Sequence, residues 1–226
     1  MERTGARLPW QIGAGLSAWT RLFAGSPNNK SRLHDQLGAL VSTSRLVHNG
    51  PRALVSGLAR LLADYRPERP WISYDAQAVL AGHLSPASRV LEFGSGMSTL
   101  WYARHAGQVV SLEHDRQWYE LIAHRLERFG NVKYRDIEDT ETYLAQTPDE
   151  AFDLIMIDGR ARLICTLFAM THLAPGGIIY LDNCDKHPEP RRLLLDFAQK
   201  LGLRVREFTD FAPTQLFVQR GLMVGG

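Results

Sequence analysis

The residues of this chain best suited to chemistry are acids that close apolar runs. Glu92 precedes a Gly-Ser-Gly turn in "RVLEFGSGMSTLW" (residues 89–101), Glu113 ends "VVSLE", and Asp136 ends "VKYRD". Gly94 and Gly96 permit a tight turn and let a ligand approach backbone that no Cβ screens. Ser95 lies between them, and Ser98 and Thr99 open the next helix, where free N–H groups and hydroxyls suit an anionic group. Glu113, seventeen positions beyond Gly96, stands where a carboxylate accepts from both hydroxyls of a ribose. Asp136 stands where an adenine edge would lie and could accept from its exocyclic amine. Three acids in register at consecutive strand ends point to a nucleoside pocket. A dinucleotide fingerprint needs a third glycine three residues after the second, and Thr99 holds that position. Asp115 and Asp139 read as helix caps.

A second set lies further along, with Asp158 in "IDGR" and Asp182 with Asn183 in "LDNCD". Two carboxylates and an amide oxygen form a hard, all-oxygen set suited to Mg2+ or Ca2+. Without a metal, Asp158 and Asp182 would organise an acceptor group directly. Between the two sets of ligands runs Gly159-Arg160-Ala161-Arg162, whose guanidinium groups cannot serve as bases at neutral pH and suit an anionic substrate group instead. His114 would flank the adenine, and His187 would stand near the acceptor as a base. Tyr74, Tyr180 and Lys186 are candidates for the pocket lining. No histidine has a partner at zinc-ligand spacing, and "GSGMS" is not a nucleophile elbow.

Holding these residues together requires strands that end side by side. The apolar pattern predicts strands over 90–93, 109–113, 132–135, 152–157, 177–181, 204–209 and 215–219. It predicts helices over 98–106, 116–129, 140–146, 162–172 and 190–201. Strands alternating with helices make a parallel sheet covered on both faces, and "FDLIMID" is apolar almost throughout, as a central strand should be. Two final strands without a helix between them place the last one antiparallel.

Residues 1–70 read differently, as a helical extension ahead of a domain over 71–226, with "RPERP" (residues 66–70) at the boundary. Ile12, Leu16, Trp19 and Phe23 recur at helical spacing. After the loop "GSPNNKS", a helical zone over 33–65 is broken at "HNGP" (residues 48–51). Leu33, Leu37, Leu40, Val41, Leu54, Leu58, Leu61 and Leu62 there fit one buried face. The extension is expected to be packed on the domain, with a lid or a homodimerisation arm as the other readings, and Trp10 and Trp19 offer a partner or lipid surface.

The 226 residues, 45% hydrophobic and 22% charged, are those of an ordinary globular protein. A net charge of +2 gives no strong field for nucleic acid or acidic membranes. The two cysteines fit a reducing compartment, and no apolar run reaches the length of a membrane span. The expectation is a cytoplasmic protein.

In order and spacing, "VLEFGSGMSTLW", "VVSLEHD", "VKYRDIED", "FDLIMIDGR" and "LAPGGIIYLDN" resemble the class I S-adenosylmethionine-dependent methyltransferases, over residues 71–219. The resemblance implies a Rossmann-like, doubly wound α/β fold with a seven-stranded sheet, mostly parallel with the last strand antiparallel. It implies that Gly94, Ser95 and Gly96 lie beside the methionine part of S-adenosylmethionine, with Glu113 on the ribose and Asp136 and Ile137 around the adenine. Glu92, Ser98, Thr99 and His114 complete the expected cofactor set, Asp158 faces it, and "PWISYDA" brings Ile72 and Ser73 to it. Catechol-type and caffeoyl-CoA-type O-methyltransferases place a divalent cation on residues matching Asp158, Asp182 and Asn183. The lysine that catechol-type enzymes carry soon after the first aspartate is absent here. The expected function is methylation of a small-molecule acceptor, at oxygen, with no nucleic-acid partner. The competing readings are a non-catalytic cofactor-binding or partner-interaction module and an NAD-dependent oxidoreductase.

Overall fold

A computed structural model describes residues 29–136, 144–145 and 147–226. The helix expected around Ile12 to Phe23, Trp10, Ile137 and most of the one expected over 140–146 lie outside the described residues. The extension contributes α1 (Thr43–Ala63), and α2 (Tyr74–His83) leads into the domain. Then follow β1 (Arg89–Phe93), α3 (Met97–His105), β2 (Gln108–Glu113), α4 (Arg116–Leu126), β3 (Val132–Asp136) and β4 (Phe152–Ile157). The chain closes with α5 (Arg162–Thr171), β5 (Leu173–Leu181), α6 (Pro188–Leu201), β6 (Val205–Phe211) and β7 (Val218–Gly225).

The seven strands form one sheet in the order β3-β2-β1-β4-β5-β7-β6. β1 to β5 are parallel, and β7 inserts antiparallel between β5 and β6. The doubly wound α/β fold with an antiparallel last strand is therefore as expected. The strand alternation divides the core in two. Leu91, Phe93, Val110, Leu112, Ile155 and Ile179 pack under α5 and α6 with Cys165, Ala169, Leu194 and Ala198. Val90, Val109, Leu154, Met156 and Ile178 pack on the other face with Ala76, Leu80 and Tyr102. Burial on both faces is why "FDLIMID" shows no polar period.

Three elements differ from expectation. β7 covers 218–225 rather than 215–219, because Gly221 is a strand residue and not a loop residue. A Cβ there would stand 1.9 Å from the Tyr180 hydroxyl, so a glycine inside the strand marks a close approach. β5 starts before the Pro-Gly-Gly turn and carries it as an irregularity, with Gly176 at φ +75° and a register shift opposite Phe152 and Leu154. The α2 helix was not foreseen.

The extension departs further. "HNGP" does not break α1: the helix runs through Pro51, capped by Ser42 and ended by Asp64 at φ 47°. An internal proline costs about 3 kcal/mol, and the hydrogen bonds of Asn49 to Asp75 and Asp210 hold the turn against that cost. Of the expected buried face, Leu33 and Val41 do pack in the core, but the remaining leucines are reversed. Leu54 is 48% exposed and Leu62 82%, with Leu37, Leu40, Leu58 and Leu61 exposed too, while the buried residues of α1 are Asn49, Ala53 and Gly57. A small, polar stripe docks instead, close enough that a Cβ on Gly57 would meet Leu216 at 3.0 Å. Ion pairs complete the attachment: Arg45 with Asp75, and Arg220 at 2.8 Å from the buried Asp35, which also accepts from Thr209. Among the described residues no helix is long and apolar enough to cross a membrane.

Candidate functional site

The parallel strands β1, β2, β4 and β5 end on one side of the sheet, and the predicted chemistry gathers there. Gly94, at φ +94°, turns the chain out of β1 directly against the backbone of the β4 exit. A Cβ on it would lie 2.7 Å from the Gly159 nitrogen. The turn is held from three sides. The Ser95 N–H donates to Glu113 Oε2 at 2.9 Å, the Gly96 N–H to Thr99 Oγ1 at 2.9 Å, and Trp118 Nε1 to the Ser95 carbonyl at 2.7 Å. Trp118 is positioned by α4, whose cap Asp115 accepts from the Trp118 N–H as its sequence position suggested. Arg66, from the connection after α1, sits 5.5 Å over the Trp118 ring.

Glu92 is not the ligand-facing acid its position suggested. In the sheet register it lies opposite Ser111, whereas Glu113 lies opposite Asp136, so the three acids are not level. Glu92 is fully buried and accepts from Ser98, Thr99 and Ser111 hydroxyls at 2.5–2.6 Å. The hydroxyls of Ser98 and Thr99 thus fasten α3 to β1 and β2 from inside. Burial, opposed by those three hydrogen bonds, pushes the Glu92 carboxyl up to about 7. Because an unfolded glutamate titrates near 4.5, the folded state binds the extra proton between those values. This contribution to stability is therefore full below about pH 4.5 and lost as pH rises through about 7. Glu92→Gln is expected to flatten the pH dependence of the denaturation midpoint in that window, by on the order of 3 kcal/mol across it. Equal slopes for both proteins between pH 4.5 and 7.5 would refute the assignment.

Glu113 is buried yet faces the turn. Its Oε1 accepts from the His114 and Asp115 N–H groups at 2.8 Å, and its Oε2 from Ser95. Burial raises its affinity for a proton, and the amides and His114, whose Nδ1 lies 3.2 Å away, counter that. Each carboxylate oxygen accepts about two hydrogen bonds, so Oε2 retains a lone pair for one ribose hydroxyl. The backbone of Asp136 lies beside it, opposite Glu113. This fits an adenosine: a prepositioned acceptor next to a turn whose one side chain, Ser95, bonds inward to Ser111 at 2.6 Å. Ile72 and Ser73 are buried, and the Ser73 hydroxyl caps α2 and donates to Asp210 at 3.0 Å. That hydroxyl is a fastening within the protein.

At the ends of β4 and β5 the second set does converge. Asp158 is 46% exposed and accepts from Arg162 at 2.7 Å, while Arg162 also donates to the main-chain oxygens of Asp158, Gly159 and Asp182. Asp182 is buried, with one oxygen accepting from the Asn183 amide at 2.5 Å and the other meeting no donor among the described residues. Burial, then the nearby charge of Asp158, pushes Asp182 well above the usual carboxylate range. Burial also raises Asp158, but Arg162 and Lys186 draw it back down. Of the two, Asp182 is thus pushed further toward its protonated form than the solvent-facing, Arg162-paired Asp158.

These residues do not fit a resident divalent cation as the sequence suggested. The Asn183 oxygen accepts from the Lys186 ammonium at 2.7 Å, and Arg162 occupies Asp158. Positive charge is already supplied. No group of three His, Cys, Asp or Glu among the described residues could share a metal. Three participants were missed or left unspecified: Ser111, Trp118 and Gln219, which links Asn183 to the Trp71 carbonyl at 3.2 and 3.1 Å. Only Ser111 carried a signal, a lone hydroxyl within an apolar strand. Beside Asp158, a cavity of about 500 Å³ opens between the starts of α5 and α6, lined by Arg160, Arg162, Lys186, His187 and Glu189.

Comparison with known proteins agrees with this geometry. Residues 91–184 match the family described as "Methyltransferase domain". None of the curated proteins matches the chain. Among solved structures, cofactor-bound Rv0187 from MTB is 25% identical, with 76% of this chain and 87% of that one aligned and a TM-score of 0.55. The O-methyltransferase from Bacillus cereus in complex with SAH is 20% identical, with coverage of 82% and 92% and a TM-score of 0.56. An rRNA methylase from Streptococcus thermophilus is 17% identical, with coverage of 71% and 96% and a TM-score of 0.51. The latter two share the fold.

Proposed function

We propose that this chain is a class I S-adenosylmethionine-dependent methyltransferase that methylates a hydroxyl of a small-molecule acceptor. The observation that carries the reading is the carboxyl pair at the ends of β4 and β5, with Asp158 exposed and paired with Arg162, Asp182 buried, and the glycine turn packed on the main chain beside them. When bound, S-adenosylmethionine supplies a methyl group on a sulfonium centre. The protein's part is to hold, align and deprotonate. The Gly94–Gly96 turn and Glu113 hold the cofactor, with Trp118 keeping the turn in place. Asp158 accepts the proton of the acceptor hydroxyl, and Arg162 and Lys186 offset the negative charge that develops on its oxygen. Neighbouring carboxyls pushed apart in this way suit one to act as base. The small net charge favours a small acceptor over an RNA.

The test is calorimetric titration with S-adenosylhomocysteine, followed by transfer of a labelled methyl group to a hydroxyl library in the presence of a chelator. The wild-type protein is expected to bind. Glu113→Gln, which removes a charged acceptor worth about 1.5–3 kcal/mol, is expected to bind roughly 10–100-fold more weakly. Transfer is expected to survive chelation, because Arg162 and Lys186 provide the charge. A folded protein that does not bind S-adenosylhomocysteine would overturn the reading, and loss of transfer on chelation would restore the metal to Asp158, Asp182 and Asn183.

A further inference from the structure

We propose that the cavity between the starts of α5 and α6 is an anion subsite that holds a carboxylate or phosphate group of the acceptor. This rests on the methyltransferase reading of the adjoining carboxyl pair and adds the class of acceptor.

Four features of the cavity support it. Arg160 is exposed at its edge and has no hydrogen bond or ion pair among the described residues. α5 starts without a side-chain cap: its N-cap is Ala161, and the first helical N–H to find a partner is that of Cys165. The N–H groups of Arg162, Leu163 and Ile164 thus meet no acceptor among the described residues, at the positive end of a ten-residue helix whose first turn lines the cavity. Lys186 and Arg162 add positive charge on the side nearest Asp158. α6 contributes differently. Pro188 and Pro190 carry no N–H, and Glu189 is the one acid in the lining. His187, lowered by burial and by Arg162 and Lys186, is a neutral donor or acceptor there.

The charge balance of the lining is thus positive, three cationic side chains against one carboxylate. Its arrangement is also directional. Arg162 grips Asp158 and is spent on it, whereas Arg160, two residues earlier, is unspent. A ligand with its hydroxyl at Asp158 would reach Arg160 and the α5 amides with a group one short span away. A planar guanidinium beside free amides matches an oxyacid group bidentately, which an ammonium would not. The acceptor class that fits is a hydroxylated carboxylate or a phosphorylated alcohol small enough for about 500 Å³.

The experiment titrates inorganic phosphate, benzoate and neutral benzamide calorimetrically at low ionic strength into wild-type, Arg160→Ala and Arg160→Lys proteins. S-adenosylhomocysteine is titrated into each as a separate measurement. Saturable binding of at least one anion is expected, with none of benzamide. Arg160→Ala is expected to weaken it by about five- to tenfold, and Arg160→Lys to recover part of the loss. The stronger of phosphate and benzoate identifies the group. Because Arg160 has no hydrogen bond or ion pair among the described residues and lies outside the glycine turn and Glu113, S-adenosylhomocysteine affinity should be equal in all three proteins. No saturable anion binding, or equal binding in wild type and Arg160→Ala, would overturn the proposal. Absence of S-adenosylhomocysteine binding alone would instead remove the methyltransferase reading and leave the anion result standing.

Discussion

Asp158→Asn is expected to lower turnover by about 10²–10⁴-fold, the usual contribution of a positioned base, while S-adenosylhomocysteine affinity stays within about twofold of wild type. The substitution preserves shape, and the amide oxygen can still accept from Arg162 as the carboxylate does. What it removes is the carboxylate that pairs with Arg162 at the ends of β4 and β5. Asp182→Asn is the informative partner, because burial and the charge of Asp158 already push Asp182 toward its neutral form. Its loss should be much the smaller of the two. The wild-type rate should fall as pH drops through the raised Asp158 value, since only the ionised form takes a proton. In Asp158→Asn that acid limb should disappear from whatever activity remains. Equal losses for the two variants, or unchanged turnover in Asp158→Asn, would place the base elsewhere, with His187 next in line.

Gly94→Ala should cost the fold about 2–5 kcal/mol, enough to threaten a domain whose whole stability is about 5–15 kcal/mol. Two penalties combine. A left-handed backbone at φ +94° costs a residue with a Cβ roughly 1–2 kcal/mol. The new methyl would also lie 2.7–2.9 Å from the main chain of Asp158 and Gly159, and such overpacking costs about 1–3 kcal/mol. Main chain, unlike a flexible side chain, cannot swing aside, so β1 and β4 must part where the cofactor turn meets the carboxyl pair. Gly130→Ala is the control, since nothing lies within 4 Å of a Cβ there. Urea denaturation of both compares them directly, and similar midpoints would show that the close approach is not a constraint.

The elements that position the site were readable because they are made of long apolar runs ending in acids. Parallel strands buried on both faces leave little ambiguity in composition, and the helix-free end of the chain foretold the antiparallel insertion. The failures have local physical causes. Glu92 looks like a site acid because it adjoins the glycine turn, but it shares a sheet face with Val90 and three hydroxyls satisfy it there. Alternation along β1 would have assigned it inward. The α1 error is of another kind. Helical spacing identifies two faces without saying which one docks, and hydrophobicity chose the leucines. Close approach favoured Ala53 and Gly57 instead, with Asn49 bonded across to Asp210. Gly221 defeated the reading of β7 because its reason, the Tyr180 ring, lies on another strand. At the site, Asp158 and Asp182 were visible as candidates. Their unequal hold on a proton depends on Arg162 and on burial, which no spacing reveals.

The insertion of β7 between β5 and β6, and the pairing of Arg220 with Asp35, set an order on the molecule's making. A nascent chain on the ribosome can assemble β1, β2 and β4 from neighbouring segments, but β6 has no strand to pair with until β7 emerges. Asp35 also waits for Arg220, 185 residues later, so the first described segment and the last strand are secured in the same step. Until β7 has emerged, β5 therefore remains an open edge, able to pair with other nascent chains.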